Sequence, residues 1–166
     1  GPWYYQQIEL GYNYRMTDIQ AALGYSQLRR LEEFVSRRHV LANRYNRLFK
    51  DYPLTLPWQD PNGFSAFHLY VIRLQTDRID KTHRDVFENL REKGIMVNLH
   101  YIPVYTQPYY ENLGFKPGLC PEAERYYQEA ITLPLYAALT EEEQDQVVAA
   151  LGEVLGVTAV VDSLKG

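Results

Sequence analysis

Residues 67–100, FHLYVIRLQTDRIDKTHRDVFENLREKGIMVNLH, decide the fold class. The first eight combine β-branched and aromatic side chains in imperfect alternation, the composition of a strand. Thr82 then stands where a helix N-cap belongs, and Val86, Phe87 and Leu90 follow at helical spacing. Gly94 occupies the position just past the helix end, where a left-handed backbone is needed. Residues 95–100, IMVNLH, read as a second strand. Short strands separated by a helix predict a small sheet covered by helices.

On the N-terminal side, residues 1–16 are aromatic, polar and aperiodic, and read as a leading loop. Thr17-Asp18-Ile19-Gln20 has the form of a capping box. Ile19, Ala22, Leu23, Leu28, Leu31, Phe34 and Val35 follow at helical spacing. The helical pattern runs on to about Tyr52, too long for one ordinary helix, so a break near Arg29 to Glu33 is expected. Pro53, Pro57, Pro61, Asn62 and Gly63 then mark an irregular connection.

On the C-terminal side, Pro103, Pro108, Gly114, Pro117 and Gly118 make residues 101–120 a long loop. Pro121 suits the first turn of a short helix. Ile131-Thr132-Leu133 is a short extended piece before Pro134. Thr140 with Glu141, Glu142 and Glu143 forms a second capping box, followed by Val147, Val148, Leu151 and Leu155 and closed by Gly156. The predicted order is α, α, β, α, β, loop, α, β, α. The fold class is therefore α+β, with a leading loop at 1–16, one domain at 17–156 and a tail at 157–166.

The chain of 166 residues is 46% hydrophobic and 23% charged, an ordinary globular balance. Its net charge of −4 argues against a nucleic-acid partner, which calls for a basic surface. Arginines gather at Arg29, Arg30, Arg37, Arg38, Arg44 and Arg47, but Glu32 and Glu33 lie among them, so a solvated helix face is expected. The single cysteine, Cys120, permits no internal disulfide and fits a cytoplasmic setting; before Pro121 it reads as a loop or cap residue. No run of 18 apolar residues is present, so no membrane span is expected, and no leader peptide is visible. Fifteen tyrosines suit either polar pockets and interfaces or an amphipathic surface.

Self-contained catalytic sets are missing. His39, His68, His83 and His100 show no zinc spacing, so no metal site is expected, and no nucleophile elbow or phosphate loop occurs. His100 differs from the other histidines. It ends a predicted strand and opens the Tyr/Pro-rich loop, where a polar side chain either faces a pocket or serves the fold. Asn13-Tyr14-Arg15 precedes a capped helix. An amide and a guanidinium there either bind an anion at the helix N-terminus or hold the loop.

The string LGYNYRMTDIQAALGYSQLRRLEEF resembles the DegT/StrS-type sugar aminotransferases. So do HLYVIRL, REKGIMVNLHYIPVY, CPEAERYYQEAITLPLY and LTEEEQDQVVAAL, in the same order, from about Trp3 to Leu155. The nearest relatives in kind are the 4-aminotransferases of UDP-linked 4-keto sugars, as in the pseudaminic-acid pathway. The resemblance implies the C-terminal domain of a fold type I pyridoxal-phosphate enzyme. It also implies a homodimer with sites at the subunit interface, and transfer of an amino group from glutamate to a nucleotide-linked keto sugar.

Family enzymes are more than twice this length. None of Lys50, Lys81, Lys93, Lys116 and Lys165 matches the setting of the family's cofactor lysine, so no catalytic residue is assigned and the chain alone is expected to be inactive. Matching the family motifs residue by residue, Asn13 corresponds to the asparagine that reaches the cofactor phosphate across the dimer. Arg15 corresponds to an arginine near the cofactor and nucleotide-sugar phosphates. His100 and Tyr101 correspond to a His-Tyr pair lining the sugar-nucleotide pocket. Tyr105 and Tyr109 keep packing roles. The alternative is a stand-alone module derived from the family that binds a nucleotide sugar or dimerises without catalysis.

Overall fold

The computed structural model describes residues 11, 12 and 14–157 of the chain. Two compact units are distinguished, Gly1–Glu33 and Phe34–Gly166, and each is described by itself.

The first unit is built on helix α1, Asp18–Leu28. Its capping box forms as the sequence predicts: Thr17 Oγ1 accepts from the Gln20 backbone N–H at 3.3 Å, and Gln20 Oε1 accepts from the Thr17 N–H at 2.9 Å. The predicted break falls at Arg29 and Arg30, before helix α2, Leu31–Leu48. The apolar spacing from Ile19 onward anticipates a buried face, but α1 buries no residue, and Ile19, Leu23, Leu28 and Leu31 all stay exposed. Helical periodicity reports that a face is apolar, not that anything covers it.

The second unit holds the core. A three-stranded antiparallel sheet runs in the order β1 (Leu54–Thr55), β2 (Tyr70–Leu74), β3 (Ala130–Leu133). Tyr70 pairs with Leu133, Ile72 with Ile131, and Leu54 with Leu74. On β2, Tyr70, Ile72 and Leu74 point into the core while Val71 and Arg73 are half-buried, the period of two that a strand imposes. Helices α2, α3 (His83–Glu92) and α6 (Glu141–Leu155) supply the rest of the core through Leu41, Tyr45, Val86, Leu90, Val148 and Leu151. Between α3 and β3 lie a single 3₁₀ turn at Val104–Thr106, the short α4 (Pro108–Asn112) and α5 (Pro121–Glu129).

Several tyrosines serve the interior. Tyr45 and Tyr70 are fully buried with ring centroids 4.9 Å apart. Their hydroxyls donate to Pro134 O at 3.0 Å and to Asn46 Oδ1 at 2.7 Å, so the buried polar atoms are satisfied. Burial pushes both phenols above the usual tyrosine range.

Two expectations are corrected. The predicted strand at 95–100 reduces to one bridge between Asn98 and Thr132. The facing residues are the cause: Pro134, opposite Met96 in this register, has no N–H to donate, and Ala130 O, opposite His100, accepts from His83 Nε2 at 2.8 Å, so the ladder continues in neither direction. The arginine-rich face is not uniformly solvated. Arg44 lies mostly buried and donates to Gln144 Oε1 at 3.2 Å and Asp145 Oδ1 at 2.7 Å, while Arg37 donates to Leu139 O at 3.0 Å. These arginines join α2 to α6 and the segment before it. Among the described residues no helix is long and apolar enough to cross a membrane.

Candidate functional site

The route to His100 starts at the end of α3. Gly94 takes the left-handed backbone that its position predicts, at φ +79°. Its N–H donates to Arg91 O and the Ile95 N–H to Leu90 O, both at 2.9 Å. These are the two bonds of a Schellman closure, and they turn the chain back under the helix. Buried Val97 then anchors the segment. Asn98 exchanges both backbone bonds with Thr132, at 3.2 and 2.8 Å.

His100 follows, half-buried, with Nδ1 2.9 Å from Thr132 Oγ1. Tyr101 is 66% exposed, and its ring centroid lies 6.4 Å from that of His100. The peptide bond between them is cis. The structure thus places the two predicted residues side by side, one held by the sheet and one offered to solvent. No partner for His100 Nε2 is seen among the described residues.

The loop that begins here is clasped at its far end. Glu124, on α5, accepts from the Gly118 N–H at 2.5 Å and from Tyr105 Oη at 2.6 Å. Tyr105 Oη in turn accepts from the Cys120 N–H at 3.2 Å. The Tyr105 hydroxyl, and after it the Gly118 N–H, hold the Glu124 carboxyl below the usual carboxylate range. Tyr105 therefore ties the loop to α5. Cys120 caps α5 through its backbone and is exposed.

Arg15 lies in the first unit, exposed, two residues before the Thr17 cap, and no side-chain partner is seen for it among the described residues. Asn13 lies outside the described residues. A guanidinium ahead of a helix N-terminus suits phosphate oxygens, so the donor at this position fits the phosphate of pyridoxal phosphate. Lys50, Lys81, Lys93 and Lys116 are all exposed. A lysine that condenses with a carbonyl must be neutral, which usually calls for burial or a cationic neighbour, and Lys93 instead meets Glu153 at 2.6 Å. Among the described residues no His, Cys, Asp and Glu side chains gather as a metal site would need.

An open groove of about 490 Å³ lies elsewhere, lined by Ile95, Met96, Pro134, Tyr136, Leu139 and Val147 among others, and includes neither His100 nor Tyr101. Two residues that fix His100 and the loop after it carry no sequence signal of their own. Thr132 is one threonine in a short extended piece, and Glu124 one acid among several in α5. Only the pairing of Asn98 with Thr132, and the folding of residue 118 back onto α5, bring them into place.

The DegT/DnrJ/EryC1/StrS aminotransferase family matches residues 2–152 of the chain. The spore coat polysaccharide biosynthesis protein SpsC of Bacillus subtilis is 35% identical over 158 residues, 93% of this chain and 41% of that protein. Spr1654 from Streptococcus pneumoniae, solved in apo, PLP and PMP forms, is 30% identical with a TM-score of 0.81, over 93% of this chain and 39% of that one. PseC from Helicobacter pylori, an aminotransferase involved in the biosynthesis of pseudoaminic acid, is 29% identical with a TM-score of 0.81, over 93% and 41% of the two chains. The chain thus spans about two-fifths of the length of the relatives it matches.

Proposed function

The chain belongs to the DegT/DnrJ/EryC1/StrS aminotransferase family, and from that premise we propose that it is the C-terminal part of a pyridoxal-phosphate enzyme that aminates a nucleotide-linked keto sugar. Members of the family are pyridoxal-phosphate-dependent, and PLP and PMP forms occur among the similar structures. The observation that carries the reading is the family match across nearly the whole chain, joined to sugar aminotransferases of the same fold.

In this reading glutamate is the amino donor, and a UDP-linked 4-keto hexose is the acceptor. The protein is a cytoplasmic homodimer. Residues 1–16 reach the cofactor at the dimer interface and residues 17–156 form the C-terminal domain. Asn13 and Arg15 donate to phosphate oxygens of the cofactor. His100 and Tyr101 donate to oxygens of the sugar nucleotide and orient it. When bound, pyridoxal phosphate supplies the means to hold the transferred nitrogen and delocalise carbanion charge. The lysine that carries it lies outside this chain, so the chain alone is inactive.

The test is to express the complete reading frame and incubate it with glutamate and UDP-, dTDP- or GDP-linked 4-keto hexoses. Amino-sugar formation, followed by mass spectrometry with stoichiometric 2-oxoglutarate, is expected with the UDP-linked substrate. No amination of any of the three refutes the reading. For the isolated chain, cofactor retained through gel filtration and mapped to one lysine refutes the claim of inactivity.

A second reading, a non-catalytic dimerisation or nucleotide-sugar-binding module, is favoured by the exposed apolar residues of α1. Sedimentation of the chain as a stable dimer supports the dimerisation form, and tight binding of a UDP-sugar by the lone chain in calorimetry supports the binding form.

A further inference from the structure

Thr132 is 6% exposed, and its backbone is occupied by pairing with Asn98. Its hydroxyl has one partner among the described residues, His100 Nδ1 at 2.9 Å. A neutral imidazole carries its proton on one nitrogen, whereas a hydroxyl both donates and accepts, so two arrangements share this geometry. If Nδ1–H donates to Oγ1, the threonine proton is left buried without an acceptor. If the threonine O–H donates to Nδ1, only oxygen lone pairs remain unfilled. A buried donor without an acceptor is the costlier defect, so the second arrangement wins.

We infer that Thr132 is a positioning residue for His100: its hydroxyl holds the proton on Nε2, so that His100 presents an N–H donor to an oxygen acceptor of the sugar nucleotide. This rests on the reading of His100 as a substrate-side residue. Nε2 belongs to a half-buried ring and is unpartnered among the described residues, which is where a ligand-facing donor belongs. Thr132 itself touches no substrate in this scheme. Its effect passes through the ring that it orients.

The first test uses the chain itself. Long-range ¹⁵N–¹H spectra of its imidazoles, recorded above the histidine titration range, report the tautomer of each ring. The wild type and Thr132→Ser are expected to show His100 protonated at Nε2. Thr132→Val, close in shape but without the hydroxyl, is expected to show a mixture. A wild-type His100 protonated at Nδ1 overturns the inference, as does a Thr132→Val spectrum unchanged from wild type.

The second test uses the complete enzyme. Thr132→Val should raise KM for the UDP-linked keto sugar about tenfold, the effect of one lost oriented hydrogen bond. Thr132→Ser should restore it, and the half-reaction with glutamate should be unmoved in both variants. A shifted tautomer with an unmoved KM overturns the role at the site. If no nucleotide sugar is aminated by the wild type, the proposed function fails, while the spectra still decide whether Thr132 sets the tautomer.

Discussion

Replacing Gly152 by alanine sets two effects of opposite sign against each other, and the structure says which wins. Gly152 is buried within α6. In an unconstrained helix interior, alanine is favoured over glycine by roughly 1 kcal/mol. Here a Cβ would stand 2.7 Å from Tyr52 Oη and 3.0 Å from Val157 O. The hydroxyl must retreat by most of an ångström, yet Tyr52 is only 4% exposed and packs edge-on against Phe49 with centroids 5.2 Å apart. Nor can Val157 give way easily, since its N–H closes the helix end on Gly152 O at 2.8 Å. Overpacking of this kind costs about 1–3 kcal/mol against a helix gain of about 1, so the net expectation for Gly152→Ala is a loss of about 1 kcal/mol. For a domain of this size that lowers the melting midpoint by roughly 2–4 °C.

The assay is urea unfolding followed by circular dichroism, in the wild-type and Tyr52→Phe backgrounds. Removing the hydroxyl sacrifices only a long hydrogen bond to Val148 O, at 3.5 Å, and clears the closest contact. The remaining ring carbon stands at an ordinary 3.5 Å from the new Cβ. The cost of Gly152→Ala should therefore fall by about 1 kcal/mol in that background. A stabilising Gly152→Ala, or an equal loss in both backgrounds, refutes the reasoning.

Leu90→Ala, at a fully buried position between sheet and helices, should cost about 2–5 kcal/mol in urea unfolding; a loss below about 1 kcal/mol would mean that the core closes around the gap. Arg44→Lys should cost about 1–2 kcal/mol by the same assay, because lysine lacks the planar fork whose two terminal nitrogens reach Gln144 and Asp145 separately, and a wild-type midpoint would refute this. Glu124 predicts a pH response of the 101–120 loop. Its folded carboxyl is held below the unfolded value, so its contribution is present above the ordinary carboxylate range and is lost as pH falls through the lowered value. The Gly118 amide resonance should therefore shift as pH falls below the ordinary carboxylate range, and the shift should vanish in Glu124→Gln; persistence of the same titration in that variant would assign it to another group.

Much of the architecture is set by local chemistry and is legible in the chain. The boxes at Thr17 and Thr140 form because each side chain bonds groups three residues away. Gly94 and Gly156 end their helices because a left-handed backbone suits glycine. Helices α3, α5 and α6 and strands β2 and β3 follow from such signals, as does the candidacy of His100 at the head of the loop and of Arg15 before a cap, while Tyr101 was singled out by the family resemblance. Long-range pairing and the coverage of apolar faces are decided elsewhere. Whether Ile19 and Leu23 are buried depends on what lies over them, which their spacing cannot encode. Whether residues 95–100 form a strand turned on the residues facing them: Pro134 offers no N–H and Ala130 O is taken by His83, so the ladder ends after one bridge. The partner of His100 is a threonine 32 positions later, placed by the meeting of that bridge with β3. Sequence by itself determined the longer helices, the caps that bound them and the residues worth asking about. Tertiary structure alone decided the hydrogen bond that orients His100, because that bond joins groups brought together only by folding.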